Sequence, residues 1–207
     1  NELGNPWGID LIIFGNTGCV DNAYPKGVVG GVFSDDGGQI EVSQDGKMWY
    51  PITTEFSDSL WPTRGYLDSQ PYDAVGGTQP STFTLPVDPR LSLDDVMNLD
   101  NDALMSFYGT SGGGTPIDIG ETGLNEISFV RVSVDPSSKL SPEIDGFADV
   151  SAQMPGDVDM NGTIDVNDLL VLIGSFGPLE IGAPLADFNS DFIVNVTDLL
   201  VIINNWS

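Results

Sequence analysis

Two acidic segments between residues 157 and 198 carry oxygen-bearing side chains at a spacing that can enclose a calcium ion. In the first segment, side-chain oxygens stand at loop positions 1, 3, 5, 9 and 12, and position 7 offers its backbone carbonyl. These residues are Asp157, Asp159, Asn161, Asp165, Asp168 and, at position 7, Thr163. Calcium takes about six to eight hard oxygen ligands, and a loop of this pattern wraps round one ion. Gly162, at position 6, permits the positive φ of the sharp turn.

The second segment repeats this pattern with an offset of 30 residues, from Asp157 to Asp187. Its predicted ligands are Asp187, Asn189, Asp191, Asn195, Asp198 and the backbone carbonyl of Ile193. Phe192 replaces the glycine of position 6, and a positive φ at a non-glycine residue costs on the order of 1 kcal/mol. The second loop also has three aspartates where the first has four. The sequence therefore predicts two calcium ions, the second bound more weakly.

Each acidic loop leads into an apolar run with helical spacing, which predicts that a helix follows each loop. The apolar positions are Leu169, Leu172, Ile173 and Phe176 in the first run, and Leu199, Ile202, Ile203 and Trp206 in the second. One half alone could not bury such a stripe, whereas two halves packed together could. The alternative is a pair of helix caps rich in Asp and Asn that bind no metal.

The segments GDVDMNGTIDVNDLLVLIGSFG and ADFNSDFIVNVTDLLVIINNWS resemble the two repeats of type I dockerin domains. The resemblance covers about residues 156–207. It implies EF-hand-type calcium loops, each followed by one helix, and a cohesin-like protein domain as partner. The partner-reading positions 10 and 11 of the loops fall at Val166, Asn167, Val196 and Thr197. Only Thr197 fits the Ser/Thr pair that is typical of cellulosomal dockerins, which argues against a cellulosomal partner.

The charge and composition of the chain exclude several classes of function. The 207 residues include 31 acids and 6 bases, a net charge of −25, so the chain repels nucleic acids and anionic membranes. No apolar run reaches the length of a membrane-spanning helix. Histidine, the commonest general base, is absent, which leaves a hydrolase that uses carboxylates alone as the remaining enzymatic alternative. The single cysteine, Cys19, excludes a disulfide within the chain and is expected to be buried.

Residues 1–150 read as short strands separated by turns, and we expect an antiparallel β-sandwich there. Strands are predicted at 8–14, 127–134 and 144–150, and a hairpin at 39–52. In the strand at 127–134, Ile127 and Phe129 are expected to face the core, with either Val130 and Val132 or their neighbours. One short helix is predicted near 91–107. Residues 151–156 are predicted to be a linker, and residues 157–207 a calcium-binding module.

The segments NPWGIDLIIFGN, QIEVSQDGKMWYPI and FVRVSV…EIDGFADV are similar to a group of uncharacterised bacterial surface proteins. This second resemblance implies a jelly-roll sandwich like that of galactose-binding and discoidin-type domains. It also implies a further calcium ion near Glu143 and Asp145. The glycine-rich strand that precedes the first motif in that group is missing, so we expect an open sheet edge. Such an edge could accept a strand from the terminus of another copy or from a cleaved segment of the same precursor.

Sugar-binding sandwiches stack aromatic rings on sugar faces, and the best candidates in this sequence are Trp61 and Tyr66, beside Arg64. Ordinary packing of these aromatic residues is the alternative.

Taken together, the sequence predicts a secreted or cell-surface, non-catalytic, calcium-binding protein that serves attachment or assembly. One example is a subunit of a calcium-dependent filament or surface layer. A carbohydrate-binding module anchored through the dockerin-like segment is the second hypothesis.

Overall fold

The computed structural model describes residues 5–178, 185–189 and 193–206, which are mainly β-structure. Within these residues the chain divides into two compact units. The first unit contains residues 7–151, and the second contains residues 152–206 together with residues 5–6. None of the described helices is both long and apolar enough to cross a bilayer.

The strands and helices are short. The strands are β1 (Leu11–Phe14), β2 (Gly18–Asp21), β3 (Val29–Phe33), β4 (Gly38–Ser43), β5 (Tyr50–Ser57), β6 (Thr115–Ile117), β7 (Phe129–Ser133), β8 (Gly146–Asp149), β9 (Gly177–Pro178) and β10 (Ile193–Val194). The α-helices are α1 (Leu93–Val96), α2 (Asn101–Tyr108), α3 (Val166–Gly174) and α4 (Val196–Asn205). Single 3₁₀ turns occupy Pro6–Gly8 and Ile119–Thr122.

Two three-stranded antiparallel sheets share one hydrophobic core in the first unit. The strand orders are β6-β1-β8 and β5-β4-β7, and β2 pairs with β3 in a separate ribbon. Side chains from both sheets meet in this core, among them Ile13 of β1, Ile40 and Val42 of β4, and Ile117 of β6. The predicted hairpin at 39–52 is confirmed, because β4 and β5 pair antiparallel with Val42 opposite Tyr50. The prediction for Phe129 was wrong, since Val130 and Val132 pack on the core and Phe129 is exposed.

A second hydrophobic cluster organises the long segment between β5 and β6, where the sequence predicted mostly loops. Trp61, Val87, Leu91 and the inner faces of α1 and α2 pack together there with Val29 of β3. The single helix predicted near 91–107 is divided into α1 and α2. Cys19 lies half-buried against this cluster, and burial raises the pKa of its thiol.

The second unit has a small core of its own. Val158, Ile164, Leu172, Ala186, Val194 and Ile202 form it, with Leu199 and Val171 packed beside them. The predicted buried stripe is therefore partly wrong. Leu172 and Ile202 are buried, but Ile173, Phe176, Ile203 and Trp206 are about half exposed. The fully buried positions lie on one side of each helix. They are 168 and 172 in α3, and 198 and 202 in α4.

Candidate metal centre

Three aspartates of the first acidic loop converge on one point. Carboxylate oxygens of Asp157, Asp159 and Asp168 all lie within 4.8 Å of one another. Asp157 and Asp168 are buried, whereas Asp159 is more exposed. Residues 140–207 contain neither Lys nor Arg, so no basic side chain of this segment can neutralise the cluster. Like charges this close repel one another, and the group could hold a metal ion.

Asp157 is positioned by the backbone that follows it. The N–H of Asn161 donates to its Oδ1 at 3.1 Å, and the N–H of Gly162 donates to its Oδ2 at 2.8 Å. The loop therefore folds back over its own first residue. Gly162 has a φ of +85°, as its place at position 6 predicted, and a Cβ there would meet nothing within 4 Å. The backbone conformation, and not crowding, is what favours glycine at this position.

Asp168 ties the start of the loop to the start of α3. Its Oδ1 accepts hydrogen bonds from the N–H groups of Val158 (2.7 Å) and Asp159 (3.2 Å). Its Oδ2 accepts from the N–H of Asp165 at 2.8 Å, which completes a capping box at the helix N-terminus. A carboxylate has about four acceptor sites, so these three bonds leave one site, on Oδ2, for a cation.

The electrostatics of the loop favour a bound cation. Burial raises the pKa of Asp159, and the neighbouring Asp168 and Asp157 raise it further, although a hydrogen bond from the Asn161 N–H opposes this shift. The raised pKa means that ionising Asp159 beside two other carboxylates is less favourable than ionising an isolated aspartate. A cation between the three groups would remove that penalty.

The other predicted ligands of the first loop are hydrogen-bonded within the loop. Asn161 Oδ1 accepts from the N–H of Thr163 at 2.8 Å and from its hydroxyl at 2.5 Å. Asp165 is the N-cap of α3 and accepts from the N–H of Asn167 at 2.7 Å. The structure thus brings three of the predicted side chains into one cluster and places Asn161, Thr163 and Asp165 along the same loop.

The second loop repeats the supporting hydrogen bonds of the first. Buried Asp198 accepts from the N–H of Phe188 at 2.8 Å and from the N–H of Asn195 at 2.9 Å, as Asp168 does from Val158 and Asp165. Asn195 caps α4 by accepting from the N–H of Thr197 at 2.7 Å. The two loops therefore share the same connection between their first turn and their helix.

The remaining ligands predicted for the second loop divide between described and undescribed residues. Asp187 and Asn189 lie within the described residues 185–189. Ile193 lies in β10, and its carbonyl accepts a hydrogen bond from the side-chain amide of Asn195 at 3.1 Å. Asp191 and Phe192 lie outside the described residues.

Gln153 connects the two loops, a role that its place in the predicted linker did not indicate. Its side-chain amide donates to the carbonyl of Asp157 at 3.0 Å and to the carbonyl of Leu185 at 2.7 Å. Asp157 begins the first loop, and Leu185 stands two residues before the second. The acceptors are backbone atoms, so the side-chain pattern of the sequence gives no signal for this contact.

The predicted ligand site at Trp61, Arg64 and Tyr66 does not form an exposed aromatic surface. Trp61 is only 5% exposed and packs edge to face on Tyr108 in the second hydrophobic cluster. Arg64 donates to the carbonyls of Tyr66 and Leu67 and so holds its own loop, and burial lowers its pKa. Tyr66 is partly exposed. The Trp61 ring belongs to the core, and its geometry does not support a stacking role.

The proposed additional calcium site near Glu143 and Asp145 also lacks an acidic cluster. The Glu143 carboxylate accepts from the side-chain amide of Asn16, and the Glu143 N–H donates to buried Asp58 at 3.4 Å. Asp58 also accepts from the N–H and the hydroxyl of Thr17. No group of three acids gathers there in the described part of the chain.

Comparison with known proteins identifies no relative. The chain matches no protein-family model, and neither a curated protein nor a solved structure matches it significantly. The geometry of the site therefore carries the functional argument.

Proposed function

We propose that the second unit is a dockerin-like calcium-binding module and that the first unit is a jelly-roll-like sandwich. The whole protein is proposed to be extracellular and non-catalytic, and to serve attachment or assembly. The observation that carries this proposal is the cluster of Asp157, Asp159 and Asp168 in a segment without any base. The equivalent hydrogen bonds of Asp198 support a duplicated module.

The donor set favours calcium over the metals that proteins bind through nitrogen or sulfur. All the candidate side-chain ligands are oxygens, the chain has no histidine, and its one cysteine lies in the first unit. Zinc prefers His and Cys ligands, whereas calcium prefers carboxylate and carbonyl oxygens in a flexible loop. Two ions are proposed, one held by each loop. Calcium at the concentrations found outside cells suits such a module.

An exposed apolar surface on the second unit supports a role in protein attachment. Both helices present apolar side chains at equivalent positions, each 47–62% exposed. The residues are Val166, Leu170, Ile173 and Phe176, with Val196, Leu200, Ile203 and Trp206 from the second helix run. Exposed apolar side chains mark a protein-interaction site where they gather in one patch, and we infer that these do. We propose that a cohesin-like domain or another copy of the chain binds this apolar face.

Calcium titration tests the metal site directly. We expect Asp159→Asn to weaken binding at the first loop by at least about tenfold, because one charged ligand is lost from a cluster of three. Asp135→Asn is the matched control, since Asp135 is an exposed acid of the first unit that accepts hydrogen bonds from Ser137. Calorimetry measures both. An unchanged titration in Asp159→Asn would contradict the proposal.

Sedimentation in millimolar calcium and in chelator tests assembly. We expect species larger than the 22.0 kDa chain in calcium, and their loss when Leu170→Glu and Leu200→Glu charge the apolar face. Met48→Glu is the control, because Met48 is equally exposed but lies in the first unit. A monomer at high protein concentration in calcium would exclude self-assembly and leave a separate cohesin-like partner as the attachment target.

A further inference from the structure

Two tyrosines on neighbouring loops of the first unit expose their rings side by side. Tyr24 is 74% exposed and Tyr72 is 56% exposed. Their ring centroids lie 4.8 Å apart and the ring planes meet at 69°, so the pair forms an aromatic corner at the surface. Among the ring pairs of the described residues, this is the one in which both rings are exposed.

The two loops are held together by one carboxylate. Asp21 accepts hydrogen bonds from the N–H groups of Ala23, Gly27 and Val28, all within 2.9 Å, and these bonds fix the loop that carries Tyr24. The same carboxylate accepts from the Tyr72 hydroxyl at 3.1 Å. Asp21 therefore holds the two loops of the corner together in the absence of a ligand.

Tyr72 occupies a backbone conformation that suits glycine better than tyrosine. The N–H of Asp73 donates to the carbonyl of Gln70 at 3.2 Å, and Tyr72 has a φ of +70°. With Pro71 before it, this is the pattern of a type II turn, in which the third residue is usually glycine. Strained residues of this kind concentrate at ligand sites, where the surrounding structure holds them in place.

The neighbours of the corner supply polar groups. The side-chain amide of Asn101 donates to Gln70 Oε1 at 3.0 Å, two residues before Tyr72. Gly27 packs so closely on Pro71 that a Cβ would lie 2.8 Å from its Cγ, which brings the two loops into direct contact. Rigid aromatic rings beside side-chain amides combine apolar faces with hydrogen-bonding groups, whereas the Asp21 carboxylate already accepts four hydrogen bonds.

We propose that the Tyr24–Tyr72 corner binds a neutral glycan, with the apolar face of one sugar ring against a tyrosine ring. The net charge of −25 repels acidic glycans, which favours a neutral one. The site lies entirely within the first unit and does not depend on the calcium module. It differs from the Trp61 site predicted from the sequence, whose indole is buried.

Affinity electrophoresis through gels that contain hydroxyethyl cellulose, glucomannan, galactomannan or dextran tests this proposal. We expect at least one gel to retard the protein, and Tyr24→Ala or Tyr72→Gly to weaken that binding by about tenfold or more. Tyr72→Gly relieves the turn but also removes the hydroxyl bond to Asp21, so the unfolding temperature of both variants is measured. A loss of affinity in Tyr24→Ala at an unchanged unfolding temperature separates a binding role from a structural one. Phe56→Ala, at an equally exposed aromatic residue, should keep full affinity. Migration unaffected by all four polysaccharides, or equal loss in Phe56→Ala, would overturn the proposal.

Discussion

Aspartates accept backbone N–H bonds in both units, but only in the second do three of them cluster among the described residues. In the first unit single carboxylates each accept several backbone N–H bonds, as Asp68 does from Thr78 and Gln79. The Gln79 N–H, with the Thr78 hydroxyl, lowers the pKa of Asp68 to about 2. In the second unit Asp159 stands beside two other carboxylates, and its pKa is raised, first by burial and then by those charges. The same side chain therefore closes a turn on its own in the first unit, whereas in the second it belongs to a cluster that could hold a cation.

Removal of calcium should produce the largest difference between the units. We expect excess chelator to unfold residues 152–206, because the repelling carboxylates lose their cation while the small core remains the only support. Residues 7–151 should stay folded on their two larger clusters. Two-dimensional amide NMR measures both units in one sample.

Magnesium at equal ionic strength is the control for that experiment, since it demands near-ideal octahedral geometry and keeps its waters. Native dispersion of the α3 and α4 amides in excess chelator would show that the second unit does not need the ion.

Cavity-forming substitutions in the two cores should differ in their response to calcium. Leu172 and Ile40 are fully buried, in the second and the first unit respectively. Each change to alanine should cost about 2–5 kcal/mol. The calcium concentration is raised from the Kd to a thousandfold above it. This should increase the free energy of unfolding of Leu172→Ala by about 4 kcal/mol and leave that of Ile40→Ala unchanged. Thermal melts across a calcium series check this, and an equal response of both variants would contradict it.

The two loops of the second unit offer a smaller test. Phe192 stands where the first loop has Gly162, so Phe192→Gly should tighten the weaker calcium site by about 1 kcal/mol, or about fivefold. The matched change Gly162→Ala should weaken the first site by a similar amount, because Gly162 has a φ of +85°. Calorimetry with two resolved affinities measures both. Two equal affinities in the native protein would remove the basis for this comparison.

The smallest expected effect concerns acid stability of the first unit. Because the folded pKa of Asp68 lies below its ordinary value, its contribution to stability is complete above about pH 4 and is lost as the pH falls through about 2. Asp68 is exposed, so the loss should be slight. Carboxyl-carbon NMR should give a midpoint near pH 2 for Asp68, and an ordinary aspartate midpoint would contradict the assigned hydrogen bonds. Asp68→Asn should remove that titration.

Local patterns predicted the elements that depend on neighbouring residues. Alternation and a turn signal gave the 39–52 hairpin, and the ligand spacing gave the cluster of Asp157, Asp159 and Asp168. The second hydrophobic cluster escaped prediction because it joins Val29, Trp61 and Tyr108, which are far apart in the chain.

The local sequence pattern also did not predict which side of each helix is buried. Helical spacing grouped Leu172 with Ile173, but packing against the other repeat buries only Leu172. The Tyr24–Tyr72 corner likewise depends on a hydroxyl bond to Asp21 between two separate loops. Such contacts arise from the tertiary arrangement and leave no periodic signal in the sequence.

The segment without bases has a practical consequence for proteolysis. Trypsin cuts after Lys and Arg, and Lys139 is the last such residue in the chain. Trypsin therefore leaves residues 140–207 in one piece whether calcium is bound or not, and resistance to it says nothing about the fold of the second unit. A protease specific for Asp or Glu has cleavage sites throughout both acidic loops. Such an enzyme would report the calcium state as a change in cutting rate.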